Sequence, residues 1–371
     1  MKPILLVGEA KGANEVKINS SFVGASGIEL LRMLHESGVI TMTNADYDYI
    51  TRFWQTGDPL CIDAIWQLHP EVHRTNVFDL HPPANDMAHL YGPKADGIPG
   101  YPIHTGGKTK KKGYIRKDFL PELDRLGDEI LAIDPNLIIG FGNTPVWALC
   151  GKTGVSKLRG TTILTTHIVD GYKIIPTYHP AAILSQWDNR PIVVVDLMKA
   201  AREKDFPDLR RPKREVHIPE IVEDIDEFFK HYLPTSRILA VDIETVGNRI
   251  TCIGFAPTPS LVLVVPFDDS RKKNRSFWST QVLEVAAWKS IRRVLENPSV
   301  RKTFQNGLYD IAFTWRSMGI RVLGAEEDTM LLHHALQPES LKSLAFLGSI
   351  YTDEGPWKTE RKGTQTIKRD E

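Results

Sequence analysis

Three sequence features are scarce or missing, and each absence excludes a class of protein. There are only three cysteines, Cys61, Cys150 and Cys252, without CxxC spacing, so buried thiols in a reducing compartment are expected rather than a disulfide framework. No run reaches the roughly 18 apolar residues of a membrane-spanning helix, so no membrane partner is expected. Lys2 precedes an apolar run too short for a signal peptide, which predicts a cytoplasmic protein.

An excess of charge of either sign is also missing. The 46 basic and 46 acidic side chains of the 371 residues give a formal net charge of zero. Any binding to nucleic acid must therefore come from local basic patches. The hydrophobic content of 42% is enough for buried cores, and the length predicts two or three domains.

The first informative stretch is a short apolar strand, Ile4–Val7, followed by Gly8 and Glu9. Glu9 is thus placed at the carboxyl end of a buried strand, the edge where open α/β sheets bind ligands. Phe22 lies in the next loop, before a helix predicted over Ile28–Leu34. A carboxylate and an aromatic ring on adjacent loops suit the binding of a ligand with a flat polar ring. A purely structural explanation is also open, in which Glu9 caps the helix and Phe22 belongs to the core.

Two further strands end in polar side chains. Asn76 lies in a strand predicted over Arg74–Leu80, and its amide offers both a donor and an acceptor, although it could equally cap or turn the chain. His179 follows an apolar strand and precedes a proline, which holds it in extended geometry, although it could be an ordinary loop residue. Between them, Thr144 is predicted to be the N-cap of a helix.

Together these segments resemble the uracil-DNA glycosylase superfamily, most closely its iron–sulfur branch. The resemblance covers roughly residues 1–201 and implies a three-layer α/β fold with a mainly parallel sheet. The matching segments, in the family's order, are Gly8–Gly12, Ser21–Gly27, Asn76–Pro83, Leu137–Gly142, Leu158–Gly160 and His179–Ala181.

The resemblance implies a role for each of five residues. Glu9 and His179 are the expected catalytic residues: Glu9 would stabilise the cationic sugar and orient water, and His179 would donate a hydrogen bond to uracil O2. The expected uracil-binding residues are Gly8, Phe22, which would stack on the base, and Asn76, which would read its edge. Base flipping is the expected means of access.

DNA contacts are expected from a basic stretch and from two loops. Residues 104–117 are rich in lysine and would contact phosphates, although such a run can also be an ordinary solvated loop. Two apolar residues after His179 are candidates for a wedge that fills the vacated base stack. The predicted DNA-binding residues are Lys11, Ser26, Lys110, Lys111, Lys112, Ile183 and Leu184.

The sequence departs from the iron–sulfur branch at its cluster ligands. Leu80 occupies the position of one ligand cysteine, and no cysteine pair precedes the first strand. We therefore predict no iron–sulfur cluster and no cofactor for this domain. Lys11 also replaces a proline of the family motif.

A second domain is predicted over residues 217–371, after a first domain at 1–203 and a charged linker at 204–216. Asp242 and Glu244 alternate along a predicted strand and share one face, where a cation such as Mg²⁺ or Mn²⁺ would neutralise them. Asp310 is predicted to point inward from a later helix. These three residues are the expected metal ligands.

This half resembles the 3′-to-5′ proofreading exonuclease domain of family A DNA polymerases, which has a ribonuclease-H-like fold. The family also needs a late Tyr-x-x-x-Asp motif, but Tyr351 has Gly355 four residues on. The exonuclease-like fold is therefore predicted to be incomplete. The domain order is similar to that of some bacteriophage replicative polymerases, so host cytoplasm is expected if the chain is phage-encoded.

Three functions remain open at this point. The first is hydrolytic removal of uracil from DNA within a phage-type replication or repair protein. The second is a non-catalytic module that binds DNA or senses uracil, joined to a partial exonuclease of a split or truncated polymerase. The third is metal-dependent 3′-to-5′ exonuclease activity, which the missing motif disfavours. DNA is the expected partner, with a polymerase chain or other replication proteins as further partners.

Overall fold

The computed structural model describes residues 2–106 and 111–355, so the predicted contact residue Lys110 lies outside the described residues. The chain divides into two compact units. Of the described residues, unit 1 comprises 2–106, 111–210 and 348–355, and unit 2 comprises 211–347.

Unit 1 is built on a parallel sheet with one antiparallel edge. Its five strands have the order β2-β1-β6-β8-β7, in which only the β7–β8 pair is antiparallel. The described strands of this unit are β1 (Ile4–Ala10), β2 (Val72–Phe78), β3 (Tyr91–Gly92), β4 (His104–Thr105), β5 (Lys112–Ile115), β6 (Leu137–Phe141), β7 (Ile163–His167) and β8 (Val169–Thr177). The short strands β3, β5 and β4 form a separate small sheet in that order.

Helices cover both faces of this sheet. Alternation along β1 sends Leu6 into one hydrophobic cluster and Leu5 and Val7 into another, so the sheet is buried on both sides. The predicted three-layer α/β architecture is therefore confirmed. The helices are α1 (Ala13–Ile18), α2 (Ala25–Glu36), α3 (Asn44–Thr56), α4 (Leu60–Gln67), α5 (Leu120–Ile133), α6 (Asn143–Cys150), α7 (Val155–Leu158), α8 (Pro180–Ser185) and α9 (Arg190–Glu203).

The start of α6 differs from the sequence prediction. Thr144 is not the N-cap, because the helix begins at Asn143 and Gly142 occupies the cap position with φ of 91°. Glycine suits this position because side chains rarely adopt positive φ. The Thr144 hydroxyl is thereby released from capping and is turned towards the end of β1.

Unit 2 contains a six-stranded sheet in the order β14-β13-β10-β11-β12-β9. Strands β10, β11 and β12 form an antiparallel meander, and β13 and β14 extend it in parallel with β10. This topology agrees with the predicted ribonuclease-H-like fold. The described elements after residue 210 are β9 (Glu215–His217), α10 (Val222–Tyr232), β10 (Leu239–Val246), β11 (Arg249–Thr258), β12 (Leu261–Pro266), α11 (Gln281–Leu295), β13 (Lys302–Phe304), α12 (Gly307–Met318), β14 (Ala325–Asp328), α13 (Thr329–Leu336) and α14 (Leu344–Tyr351).

The two units differ in extent from the predicted domains. The division at residues 210 and 211 lies within the predicted linker, and residues 348–355 belong to unit 1 rather than to the second domain. A buried network explains this: the Lys199 ammonium donates to the carbonyls of Ser349 and Thr352, and Arg159 donates to the Ser349 hydroxyl. Among the described residues, no helix is both long and apolar enough to cross a membrane.

Candidate functional site

Gly8, Phe22 and Asn76 meet at the carboxyl end of the unit 1 sheet. The register of β1 and β2 places Gly8 directly beside Asn76. A Cβ added to Gly8 would lie 2.1 Å from Asn76 Oδ1 and 2.9 Å from Phe22 Cζ. Such distances are below van der Waals contact, so only glycine lets the amide and the ring approach this strand. The structure thus brings together all three residues predicted to bind uracil.

Phe22 is held in an unusual backbone conformation. Its φ is 57°, which is uncommon for a residue with a bulky side chain. Its carbonyl accepts from Trp66 Nε1 at 3.0 Å, and its N–H donates to Glu15 Oε1. Only 2% of Phe22 is exposed, so its ring is covered in this state.

Glu15 is a site residue that the sequence reasoning missed. Besides Phe22 N–H, its carboxylate accepts from Gly12 N at 2.8 Å and from Asn76 Nδ2 at 3.4 Å. It therefore ties together the loop after β1, the aromatic loop and the amide. Burial raises the pKa of Glu15 above its usual range. A partial signal was present, since a glutamate at the third position of a helix often accepts from the N–H of the N-cap residue, here Gly12.

The Asn76 amide has a defined orientation. Its Nδ2 donates to Ser21 Oγ at 3.2 Å as well as to Glu15, while Oδ1 lies against Gly8. The side chain is 2% exposed and is held from three sides. The oxygen is therefore the atom that Asn76 presents beside Gly8 and Phe22.

His179 lies next to the Phe22 ring. The two rings are 6.4 Å apart between centroids, with 28° between their planes. His179 is the N-cap of α8, and its Nδ1 accepts from Ala181 N at 3.2 Å. Burial lowers the pKa of the imidazole to about 4. At neutral pH the ring is therefore uncharged and carries its proton on Nε2, where it can donate a hydrogen bond.

Glu9 is the next residue after Gly8 and is partly exposed. Its Oε2 accepts from the Thr144 hydroxyl at 2.5 Å. Burial raises the pKa of Glu9, the hydrogen bond from Thr144 lowers it, and the charge of Asp86 raises it again. The carboxylate is thus a stronger base than an exposed glutamate.

The residues predicted to contact DNA fall into two groups. Ser26, in the first turn of α2, is partly exposed, and Lys111, Lys112 and Leu184 are exposed, so all four are accessible. They remain predicted contacts.

Two of the predicted contacts are corrected by the structure. Lys11 is only 6% exposed and pairs with Asp79 at 2.5 Å, so its ammonium neutralises a neighbouring carboxylate instead of facing solvent. Ile183 is fully buried in the core and cannot act as a wedge, which leaves Leu184, at 50% exposure, as the remaining candidate.

The three predicted metal ligands of unit 2 lie on β10 and α12, and Asp310 is hydrogen-bonded to β10. Within residues 2–106 and 111–355, no three His, Cys, Asp or Glu side chains are arranged to hold an ion. Asp310 Oδ1 accepts from Ile243 N at 3.1 Å, and burial together with the charges of Asp242 and Asp328 raises its pKa to about 6. Asp242 lies close enough to Asp310 to influence its pKa, and Asp242, Glu244 and Asp310 remain the predicted ligands of Mg²⁺ or Mn²⁺.

Asp328, a nearby carboxylate, has a structural role. It accepts from the N–H groups of Asn306 at 3.0 Å, Gly307 at 2.7 Å and Met330 at 2.9 Å. These bonds join the start of α12 to the start of α13.

Comparison with solved structures gives only weak likenesses. NrnC of Brucella melitensis is 14% identical with a TM-score of 0.27, over 39% of this chain and 63% of that one. RNase D of Trypanosoma brucei is 17% identical with a TM-score of 0.26, over 33% of this chain and 40% of that one.

Two curated proteins are similar in sequence. A DNA polymerase of Bacillus phage SP01 is 24% identical over 242 residues, which are 57% of this chain and 25% of the polymerase. The chain thus spans about a quarter of that relative's length. A type-4 uracil-DNA glycosylase of Sulfurisphaera tokodaii is 27% identical over 201 residues, 53% of this chain and 67% of the relative.

The family comparison covers more than half of the chain. The model of the uracil DNA glycosylase superfamily matches residues 1–210, the region that contains Gly8, Phe22, Asn76 and His179. The chain therefore belongs to the uracil DNA glycosylase superfamily.

Proposed function

We propose that this chain hydrolyses the N-glycosidic bond of deoxyuridine in DNA and releases uracil. The observation that carries the proposal is the convergence of Gly8, Phe22, Asn76 and His179 at one edge of the sheet. An aromatic ring, an amide oxygen and an imidazole donor match the flat face, the imide N–H and the carbonyl of uracil. The DNA polymerase relative favours a role in replication or repair of phage type.

In this proposal, Asn76 and His179 recognise the base and its departing charge. Asn76 Oδ1 accepts the uracil N3–H, while Glu15 and Ser21 hold the amide in this orientation. As the glycosidic bond breaks, its electron pair moves onto the uracil ring. The His179 Nε2–H donates a hydrogen bond to O2 and stabilises the developing anion. Because the ring is neutral and keeps its proton, no proton transfer is needed at this step.

Glu9 acts on the sugar and on water. Its negative charge stabilises the oxocarbenium-like sugar, and it accepts one proton from the water whose oxygen bonds to C1′. The products are uracil and an abasic site, and the uracil anion later takes a proton from solvent. Every step of this mechanism is assigned to the chain's own residues and to water.

Substrate entry requires local opening. Phe22 is 2% exposed, so a flipped base can stack on it only after the residues that cover the ring shift. Flipping itself costs a few kcal/mol and is least costly for mismatched or single-stranded bases. Lys111 and Lys112 would contribute phosphate contacts, and Leu184 would fill the vacated stack.

A uracil-containing oligonucleotide tests the proposal. The full chain is incubated with it in EDTA, and abasic sites are detected by alkali cleavage. We expect uracil-dependent cleavage that is strongly reduced in Glu9→Gln. Glu71→Gln, which changes an exposed glutamate in the same way, is the control and should retain the wild-type rate. No abasic sites above background from the wild-type chain would refute the proposal.

A second candidate is a non-catalytic module that binds DNA or senses uracil. The covered Phe22 ring favours DNA binding without base stacking, because the free protein offers almost no surface for stacking. Retarded migration of uracil-containing DNA without abasic products would select this function. Shortening from the 3′ end that depends on Mg²⁺ and is lost in Asp242→Ala would instead indicate exonuclease activity.

A further inference from the structure

A chain of hydrogen bonds runs from Glu9 away from the base-binding residues. The Thr144 hydroxyl donates to Glu9 Oε2, and Thr144 Oγ1 lies 2.9 Å from His104 Nε2. His104 Nδ1 lies 2.8 Å from the Tyr91 hydroxyl. Four polar side chains from four separate parts of the sequence thus form one continuous path.

The path has a single consistent direction. Burial lowers the pKa of His104 to about 4, so the ring is neutral and holds one proton. Because the only Thr144 hydroxyl proton goes to Glu9, His104 must donate through Nε2–H to Thr144 Oγ1. Its Nδ1 then accepts from the Tyr91 hydroxyl. Each O–H and N–H along the path then donates once, and the path ends on the Glu9 carboxylate.

The direction can also be reversed. When Glu9 is protonated it donates to Thr144, Thr144 donates to His104 Nε2, and His104 Nδ1–H donates to the Tyr91 oxygen. The Tyr91 hydroxyl then donates to the Gly106 carbonyl, which lies 3.5 Å away. The same four side chains therefore satisfy both protonation states of Glu9.

The small sheet keeps the outer end of the path in place. Tyr91 lies on β3 and His104 on β4, and both strands pair with β5. The Tyr91 ring lies so close to Gly113 that a Cβ there would come within 2.5 Å of it. His104 is fully buried and packs edge-on against Trp147. A rigid partner of this kind loses little entropy when it orients Glu9.

We propose that Thr144, His104 and Tyr91 are positioning residues that hold Glu9 Oε2 and leave Oε1 directed to water in both protonation states of Glu9. Among the described residues, no hydrogen bond to Glu9 Oε1 is present, which agrees with this division between the two oxygens. The expected effect on the rate of uracil release rests on the proposed glycosylase function. The hydrogen bonding of Glu9 can be tested by titration, whether or not the chain is active.

The charged groups around Glu9 define the expected pH effect. Burial raises the pKa of Glu9, Asp86 raises it further, and the Thr144 hydrogen bond opposes both. Tyr91, also close to this charge, stays neutral because burial and Glu9 raise its pKa to about 12. Removing the Thr144 hydroxyl should therefore raise the pKa of Glu9, so that its carboxylate forms only at higher pH.

The test follows the Glu9 carboxyl carbon by NMR titration of the full chain labelled at glutamate side chains, with Glu9→Gln used for assignment. Thr144→Val, which keeps the shape but loses the hydroxyl, should move the Glu9 midpoint up by about one pH unit. Thr144→Ser should restore it. Tyr91→Phe should cause a smaller shift in the same direction, whereas Tyr101→Phe, which loses a hydroxyl bonded to the Ala148 carbonyl, should cause none.

Kinetics give the second readout. In single turnover, Thr144→Val should reduce the rate of uracil release about tenfold or more and move the acidic limb of the pH profile to higher pH, with DNA affinity unchanged. A Glu9 midpoint that does not move in Thr144→Val would refute the inference, whether or not the chain is active. A shifted midpoint in a chain that releases no uracil would support the inference and refute the proposed function instead.

Discussion

The amide oxygen of Asn76 occupies the space where a side chain of Gly8 would begin. A Cβ on Gly8 would lie 2.1 Å from Asn76 Oδ1, because the parallel register of β1 and β2 sets the two residues side by side. The Asn76 amide and the strand that leads to Glu9 are therefore held together by one close contact, which only glycine permits.

Gly8→Ala should disrupt base recognition. The added methyl group must push away Asn76 or the Phe22 ring, so we expect uracil affinity to fall at least tenfold, measured by the KM for a uracil-containing oligonucleotide. Gly12→Ala is the matched control in the same loop, since its Cβ would have ordinary contact with Glu15 at 3.9 Å. Equal KM values in the two variants would contradict this account.

Glu15→Gln should loosen the loop that carries Phe22. A glutamine presents one oxygen and one NH₂ group to the N–H donors of Gly12, Phe22 and Asn76, so at least one donor loses its acceptor. We expect the free energy of unfolding to fall by about 1–3 kcal/mol in urea titrations. Uracil release should slow as well. A variant of unchanged stability would show that Glu15 does not tie these segments together.

His179→Ala should lower the single-turnover rate by about 100- to 1,000-fold, because it removes a donor to the developing anion. His179→Gln keeps an N–H group and should recover part of the rate. Since burial lowers the pKa of His179 to about 4, its protonation should not contribute to the pH profile between pH 6 and 8. An imidazole seen by NMR to titrate within that range would contradict the assignment of a neutral donor.

Lys111→Ala combined with Lys112→Ala should weaken binding to duplex DNA mainly at low salt. Each lost phosphate contact reduces the slope of log K against log salt by about 0.9, so we expect a decrease of up to about 1.8. Lys152→Ala combined with Lys157→Ala removes the same charge from another exposed segment as the control. Equal slopes for both double variants would show that Lys111 and Lys112 do not contact phosphates.

Asp310→Asn should stabilise unit 2 more at pH 7.5 than at pH 4. The folded pKa of about 6 lies above the ordinary value of 3.8, so wild-type stability is greatest below pH 4 and is lost as pH rises through 6. Asparagine keeps an acceptor for Ile243 N without this loss. In urea titrations, we expect the difference in the free energy of unfolding between the variant and the wild type to grow by about 2 kcal/mol from pH 4 to pH 7.5.

Asp226→Asn, which changes an exposed aspartate of α10, serves as the control for this experiment. A constant difference between Asp310→Asn and wild type across the pH range would contradict the buried, charge-crowded environment described for Asp310.

Local patterns in the sequence were sufficient for the main strands of both sheets and for the polar residues at their ends, but not for α1, α3 or the short strands β3, β4, β5 and β9. The apolar run before Glu9 and the proline after His179 each predict where a strand ends, because these preferences arise within a few residues. Parallel strands place their carboxyl ends at one edge of a sheet, so this pattern predicts that Gly8 and Asn76 lie near each other. Phe22 lies in a loop, and its place beside them depends on tertiary contacts with Glu15 and Trp66.

Tertiary structure alone decided which polar atoms touch. Thr144 has the sequence context of an N-cap, but the positive φ of Gly142 starts the helix earlier and directs the hydroxyl to Glu9. The glycine-rich loop around Lys11 favours a phosphate contact, but the fold brings Asp79 into an ion pair with Lys11. Such contacts join residues far apart in the chain, and their energies depend on burial, which no local pattern specifies.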